Sequence, residues 1–321
     1  MTSLRTRLLA AGLVAGLTGA AQAEDISVTH WGVLMYGAPY AVAMEKGLFK
    51  QAGVDVTGIL SSQGGGTTVR NVLAGGLPFG EVALSAAVAA TREGIDIKIV
   101  SGGARTVDDI LWVVNPNSPI KTLADLKGKR IAFTSPKSVT EMLAVLMLDK
   151  AGLKPADVTL VSTGGIGAGL TALANGGVDI APNMDPIWAR TQDKYRPYVY
   201  NKDILPPIMQ TVGITTPEFA QKSAGTLRAI IDGRRRGVDF IHRNPAEAGA
   251  IFAKAYKLDP KVAETSIRNM IAIDYWSRGQ LDIEGMNQMV RGLQLVGGLP
   301  PGPVDWSKLI DRSFLPTDLR S

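Results

Sequence analysis

The sequence predicts an α/β protein of two lobes, each a mixed sheet flanked by helices. Three observations carry this. The chain has 321 residues, which suits about two domains. Strand-like and helix-like patterns alternate along most of it. And one phrase occurs twice. Val54–Leu60 is a β-rich run that ends in small polar residues and the three glycines Gly64–Gly66; a helical pattern opens at Thr67–Thr68, with Val69, Val72 and Leu73 at core spacing, and stops at Gly75–Gly76; Phe79–Leu84 follows as a strand. Later, Val158–Gly177 reads strand, Gly-rich turn, a short helix with Leu170 and Leu173 inward, then two glycines, with Val178–Ala181 as the following strand.

Residues 1–23 are expected to lie outside the fold. Arg5 and Arg7 precede the apolar run Leu8–Leu17, and Ala21-Gln22-Ala23 is an A-x-A cleavage site, the pattern of a secretory signal peptide. Cutting after Ala23 removes two of the 34 basic residues and none of the 29 acidic ones, leaving a net charge of 32 minus 29, or +3. That mild balance argues against a nucleic-acid partner, and the Arg234–Arg236 run reads as a solvated helix face. No later apolar run is long enough to span a membrane. There is no cysteine, so stability is expected from a large core, which the 45% apolar content allows, and no lipid anchor is expected. With only His30 and His242, zinc or copper ligation is not expected, and no cofactor is predicted.

In chain order, Asp25–Trp31 alternates as the first strand, Gly32–Gly37 is a loop, and Pro39–Lys46 is a helix that Gly47 terminates. After the first Gly-rich unit come a helix over Ala86–Arg92 and the strand Ile97–Ser101, broken at Gly102–Arg105. Asp109–Asn115 is a strand taken as the crossover into the second lobe. Leu123–Leu126 is a short helix and Arg130–Thr134 a strand. Ser138-Val139-Thr140-Glu141 fits a capping box, so a helix runs from there to Lys150. Past the second Gly-rich unit, Pro186 suits the first turn of a helix carrying Trp188. Val199–Ile204 and Thr211–Thr215 are predicted strands, with the return crossover at about 206–210. From Pro217 the chain is helical, with helices over Pro245–Tyr256, Pro260–Ile271 and Glu284–Val296. The predicted lobes are 24–106 with 208–321, and 107–207.

The Gly-rich turns have a chemical consequence. Glycine lets a backbone approach a ligand with no Cβ in the way. The first amides of the following helix have no internal partner, which makes a seat for an anion. Each helix N-terminus favours a negative charge by about 0.3–1 kcal/mol. A tight turn with no ligand fits the same residues.

Four phrases then act together: Ala43-Met44-Glu45-Lys46-Gly47-Leu48-Phe49, Ala52-Gly53-Val54-Asp55-Val56, Leu126-Lys127-Gly128-Lys129-Arg130-Ile131-Ala132 and Ala151-Gly152-Leu153. In this order and spacing the chain resembles the periplasmic substrate-binding proteins of nitrate-, sulfonate- and taurine-type ABC importers, a superfamily that also takes in binding proteins for thiamine pyrimidine precursors. The resemblance implies the two-lobed periplasmic binding protein fold, with a ligand cleft between lobes that close around a small molecule. It does not name the ligand.

Ligands of open α/β sheets sit beyond the carboxyl ends of the strands. Trp31, Met35 and Tyr36 at such an end are candidates to pack on an organic body, against a place in the lobe core. Gly65, Gly66, Thr67 and Ser85 are candidates in the first lobe. In the second, Ser135, Ser138 and Val139 are candidates, although the Ser138 hydroxyl suits the cap of its own helix. Arg105 is a candidate cation for an acidic ligand, with surface exposure as the alternative. Asn183 and Asp185 suit a ligand NH or OH.

The expected function is that of a soluble periplasmic component of an ABC importer, not an enzyme and not lipid-anchored. It would capture a small organic anion, a sulfonate or carboxylate and possibly aromatic in body. The expected partners are a small-molecule ligand and the transmembrane permease subunits, with the protein a monomer. Two alternatives stay open. One is a pyrimidine-synthase-like enzyme of the same superfamily, which would need Lys137 or Lys46 to hold a cofactor or His30 as a base. The other is an extracytoplasmic sensor partner.

Overall fold

A computed structural model describes residues 22–320. The predicted leader falls outside the described residues, apart from Gln22 and Ala23, which open the first strand opposite Val54 and Asp55.

The strands are β1 (Gln22–Thr29), β2 (Val54–Ser62), β3 (Gly80–Ala83), β4 (Lys98–Gly102), β5 (Leu111–Val114), β6 (Arg130–Phe133), β7 (Thr159–Ser162), β8 (Ala181–Asn183), β9 (Arg196–Tyr200) and β10 (Thr211–Thr215). One sheet runs β2-β1-β3-β10-β4. Its β1 pairs parallel with β2 and β3, and β10 pairs antiparallel with β3 and β4. The second group is β8-β5-β9, all antiparallel, beside the parallel pair β6-β7. A parallel bridge from Ile131 to Ile180 joins the two. Read across that bridge, the order β7-β6-β8-β5-β9 repeats the first sheet position for position and direction for direction.

This repetition has a local cause. In each half a strand leads through glycine into a helix, Gly65–Ala74 in one and Ile166–Ala174 in the other. Gly64 and Gly165 precede them with the same extended backbone, φ 179° and ψ 163° against φ 179° and ψ 166°. The first helix starts two residues earlier than Thr67, because Gly64 and not a threonine closes its first turn. Neither Thr67 nor Thr68 caps it.

Two stretches join the sheets: residues 103–110 between β4 and β5, and 201–210 between β9 and β10. The predicted strand Val199–Ile204 is corrected here. Pairing to β5 ends at Tyr200, and Asn201–Ile204 turn into a short helix because Asn201 is drawn inward, where it accepts from Trp112 Nε1 at 3.0 Å and donates to the Ile110 carbonyl at 2.9 Å.

The helix Val139–Lys150 is buried at nearly every position from Val139 to Leu148. A helix apolar all round is one covered on all sides. On one side it meets the helix Ile283–Leu295, where a Cβ on Gly292 would come within 2.9 Å of Met142 Cβ. In the other half, the helices Ala38–Glu45 and Ala224–Arg243 cross so closely that a Cβ on Gly237 would sit 2.3 Å from the Pro39 carbonyl oxygen.

The Arg234–Arg236 run is not a uniform solvated face. Arg234 is 3% exposed and its Nε donates to Glu81 Oε2 at 2.9 Å. Its neighbours Arg235 and Arg236 lie further out, on Asp318 and Asp232. Among the described helices none is long and apolar enough to cross a membrane.

Candidate functional site

The strand ends of the two sheets face each other across a small cavity. One wall comes from Thr29 at the end of β1 and His30 just after it, Leu34 and Tyr36 in the following loop, Gly64 and Gly65 at the first Gly-rich helix, and Ala83 at the end of β3. The opposite wall comes from Thr134, Ser138, Val139 and Thr140 after β6, Ile166 at the second Gly-rich helix, and Met184 after β8. The cavity is about 20 Å³, room for about one water. A guest of several atoms therefore requires the walls to separate.

Four helices begin at this cavity: Gly65–Ala74, Leu84–Arg92, Val139–Lys150 and Ile166–Ala174. Helix geometry leaves the first amides of each helix slightly positive and without a full set of intrahelical partners; the Leu84 amide is taken by the Gln210 carbonyl and the Glu141 amide by Ser138 Oγ. Among the described residues no Asp, Glu, Lys or Arg lines the cavity. Polarity is supplied instead by two matching hydroxyl chains. In one half, Thr68 Oγ1 lies 2.6 Å from Thr29 Oγ1 and 2.5 Å from Ser62 Oγ. In the other, Thr140 Oγ1 lies 3.0 Å from both Thr134 Oγ1 and Ser138 Oγ. Leu34, Val139, Ile166 and Met184 supply the apolar surface.

Of the residues expected at the site, Tyr36, Gly65, Ser138 and Val139 line the cavity. Ser138 also caps its helix, its Oγ accepting from the Glu141 amide at 3.2 Å. The capping box is altered: the Glu141 carboxylate accepts from the Lys137 amide, at 2.5 Å, rather than from Ser138. Ser85 and Ser135 sit where the halves touch. Ser85 Oγ donates to the Lys137 carbonyl at 2.7 Å, and Ser135 Oγ lies 3.0 Å from where a Gly64 Cβ would stand.

The remaining candidates are not among the lining residues. Trp31 packs edge-on against Tyr256, with centroids 5.2 Å apart. Met35 is core, and its carbonyl accepts from Trp276 Nε1 at 2.9 Å. Gly66 is exposed, and Thr67 Oγ1 accepts from Arg70 at 2.9 Å. Arg105 is ion-paired with Asp274, and both side chains are half exposed. Asn183 is consumed locally, donating to Thr191 Oγ1 and accepting from the Met184 amide. Asp185 accepts from the Ala189 amide and from Asn269 Nδ2, 3.1 and 2.8 Å away. The two lysines an enzyme of this superfamily would recruit are paired elsewhere, Lys46 with Glu247 and Lys137 with Glu93.

Sequence reasoning passed over Thr29, Leu34, Gly64, Ala83, Thr134, Thr140, Ile166 and Met184 as individual contacts. One signal was available for Ile166. It holds the place in the second Gly-rich unit that Gly65 holds in the first, so the internal repeat puts both at the same gap. Thr29 and Thr134 are likewise equivalent, each at the end of its strand.

His30 lines the cavity in a half-buried position, and burial lowers its imidazole pKa to about 4. It is therefore neutral at neutral pH. The unfolded chain takes up this proton near pH 6.5, while the fold takes it up only near pH 4. Between those values the unfolded state binds more protons, so this residue's contribution falls as pH falls. The buried carboxyl of Asp185, raised by desolvation, acts in the opposite sense, so the comparison is made against a variant. Between pH 7 and 5, the wild type is expected to lose about 1–2 kcal/mol more stability than His30→Gln. Urea titrations at both pH values measure this, and parallel losses would contradict the burial.

A two-lobed binding protein with its cleft at the strand ends is the class this fold and cavity define. The family model described as NMT1/THI5 like matches residues 35–248, and the chain belongs to that family. Among solved structures it is similar to a protein from Bordetella bronchiseptica RB50 at 25% identity, covering 91% of this chain and 95% of that one, with a TM-score of 0.75. It is also similar to the alkanesulfonate-binding protein SsuA from Xanthomonas axonopodis pv. citri bound to MOPS, at 18% identity, 92% and 100% coverage and a TM-score of 0.75. A third is the periplasmic nitrate-binding protein NrtA from Synechocystis PCC 6803, at 14% identity, 92% and 87% coverage and a TM-score of 0.72. At the identities of the last two, the likeness is one of fold. No curated protein matches the chain in sequence.

Proposed function

We propose that the protein is the soluble, periplasmic solute-binding component of an ABC importer of the sulfonate and nitrate type. It captures a small organic anion by closure of two lobes, 24–106 with 208–321 and 107–207, and delivers it to the permease. The observation that carries this is the cavity itself: helix N-termini from both halves meet at a gap whose lining includes no charged side chain. Preorganised amides hold an anion by charge without a counter-cation, and two converging termini do so more firmly than one. The apolar share of the lining favours an organic sulfonate or carboxylate over bare nitrate. The family and the solved relatives that bind sulfonates and nitrate support the same reading.

Thermal-shift titration of the leaderless protein tests it, with a panel of alkane- and arenesulfonates, carboxylates, nitrate and neutral analogues. Stabilisation by organic anions alone is the expected result. Stabilisation only by neutral or cationic compounds would overturn it.

A further inference from the structure

One fully buried residue stands between the cavity and both connections that join the sheets. Gln210 lies at the end of the second connection, immediately before β10. Its side-chain nitrogen donates to the Thr106 carbonyl at 2.7 Å and to Asp109 Oδ1 at 2.6 Å, both in the first connection. Its backbone amide donates to the Ala104 carbonyl at 2.9 Å. Its own carbonyl accepts, at 3.0 Å, from Leu84, whose amide opens one of the helices at the cavity. The side-chain oxygen accepts from the Tyr36 hydroxyl at 2.5 Å, and Tyr36 lines the cavity.

The donor directions are fixed by chemistry. A backbone carbonyl can only accept, so Thr106 fixes which end of the Gln210 amide is nitrogen. The oxygen is then left for Tyr36, whose proton is committed to it. Tyr275 lies nearly parallel to Tyr36, with an interplanar angle of 12° and ring centroids 6.4 Å apart. Tyr36 thus has one hydrogen-bonded support, and that support is anchored to both connections.

We propose that Gln210 is a positioning residue that couples the cavity wall at Tyr36 to the angle between the lobes. Separation of the lobes must bend residues 103–110 and 201–210, and Gln210 ties the two together. When they are drawn to the closed geometry, Gln210 brings the Tyr36 ring into the wall. When they part, Gln210 loses Asp109, its contact in the other lobe, and with it the fixed position from which it supports Tyr36. This rests on the reading of the gap as a cleft that opens and closes, but not on which anion fills it.

The test needs no ligand. The chain has no cysteine, so spin labels can be placed at Gln51→Cys and Lys121→Cys, exposed positions in the two halves. Inter-label distances are then measured in the leaderless protein carrying Tyr36→Phe, Gln210→Leu or both. Tyr36→Phe keeps the ring and removes only the tie. The closed-to-open ratio is expected to fall about fivefold in Tyr36→Phe, the fold-change of one lost hydrogen bond. Gln210→Leu should fall at least as far, and the double variant no further than Gln210→Leu. A purely structural role would lower the melting temperature of Tyr36→Phe and leave the distances alone. Unchanged distances, or losses that multiply in the double variant, overturn the proposal. If Gln210→Leu does not fold, Tyr36→Phe alone decides. Absence of anion binding in the titrations would leave the distance result intact, so the two readings fail separately.

Discussion

Replacing Arg234 by methionine is expected to cost about 3–5 kcal/mol of stability, the penalty of leaving a buried charge without its partner. In a chain of this size that is about a 5–8 °C fall in melting temperature. Glu81 is fully buried on β3, in the middle of the first sheet. Its carboxylate accepts from Arg234 Nε at 2.9 Å, Tyr40 at 2.7 Å and Thr211 at 2.8 Å. Thr211 Oγ1 in turn accepts from the Ala104 amide at 2.6 Å. One carboxylate therefore holds β3, β10, the helix Ala38–Glu45, the helix Ala224–Arg243 and the first connection in register. The space is tight: a Cβ on Gly103 would stand 2.5 Å from Glu81 Oε1. Methionine fills the volume of the arginine stem but returns no charge, so Glu81 keeps two hydroxyl donors and loses its cation. The double variant Arg234→Met with Glu81→Leu should lose less than the sum of the two single losses, because it removes the charge as well as the partner. Thermal and urea unfolding of the three variants measure this. A single-variant loss under about 1 kcal/mol, the range of exposed pairs, would show that the pair is not desolvated.

That pair also marks where sequence reasoning ends. Glu81 and Arg234 are 153 positions apart, so no local pattern pairs them. Helical spacing does place Arg234, and not Arg235 or Arg236, on the apolar stripe of Leu227, Ile230, Ile231, Val238 and Ile241, a signal that reading the run as one solvated face passes over. Local chemistry was legible where it acts locally. Gly47 adopts a left-handed φ of 64° after the helix it terminates, Ser138 caps its helix, and the helix Pro245–Tyr256 has the bounds its proline and periodicity imply. The repeated Gly-rich phrase was legible as a repeat that suggests two lobes built on one plan, whereas the shared strand order is visible only in the fold. Which members of each loop turn inward was not legible. Gly65 and Gly66 are adjacent and chemically identical, yet only Gly65 is buried at the cavity. Arg105 had the right charge for an anion, but Asp274, far along the chain, claims it outside the cavity.

Adding an ammonium group to a bound anion is expected to weaken its binding at least about 100-fold, because a buried cation left unpaired costs several kcal/mol and each tenfold in affinity is about 1.4 kcal/mol. Among the described residues no carboxylate lines the cavity. The buried acids in this part of the molecule are already engaged: Glu81 with Arg234, Asp109 with Gln210, and Asp185 with Asn269 and the Ala189 amide. His30 is neutral there at neutral pH, so it offers at most a lone pair. The converging amides favour negative charge and oppose positive charge at the same place. Matched pairs separate the two effects, since each pair shares its anionic group and length: ethanesulfonate against 2-aminoethanesulfonate, and propionate against 3-aminopropionate. Calorimetric titration should detect the simple anions and show little or no heat from the aminated ones. Ile166→Asp, which places a carboxylate on the lining, should narrow the gap by weakening the simple anions and admitting the aminated ones. Equal affinity within each pair on the unaltered protein would mean that an acidic group reaches the ligand and that the neutral lining is not what selects it.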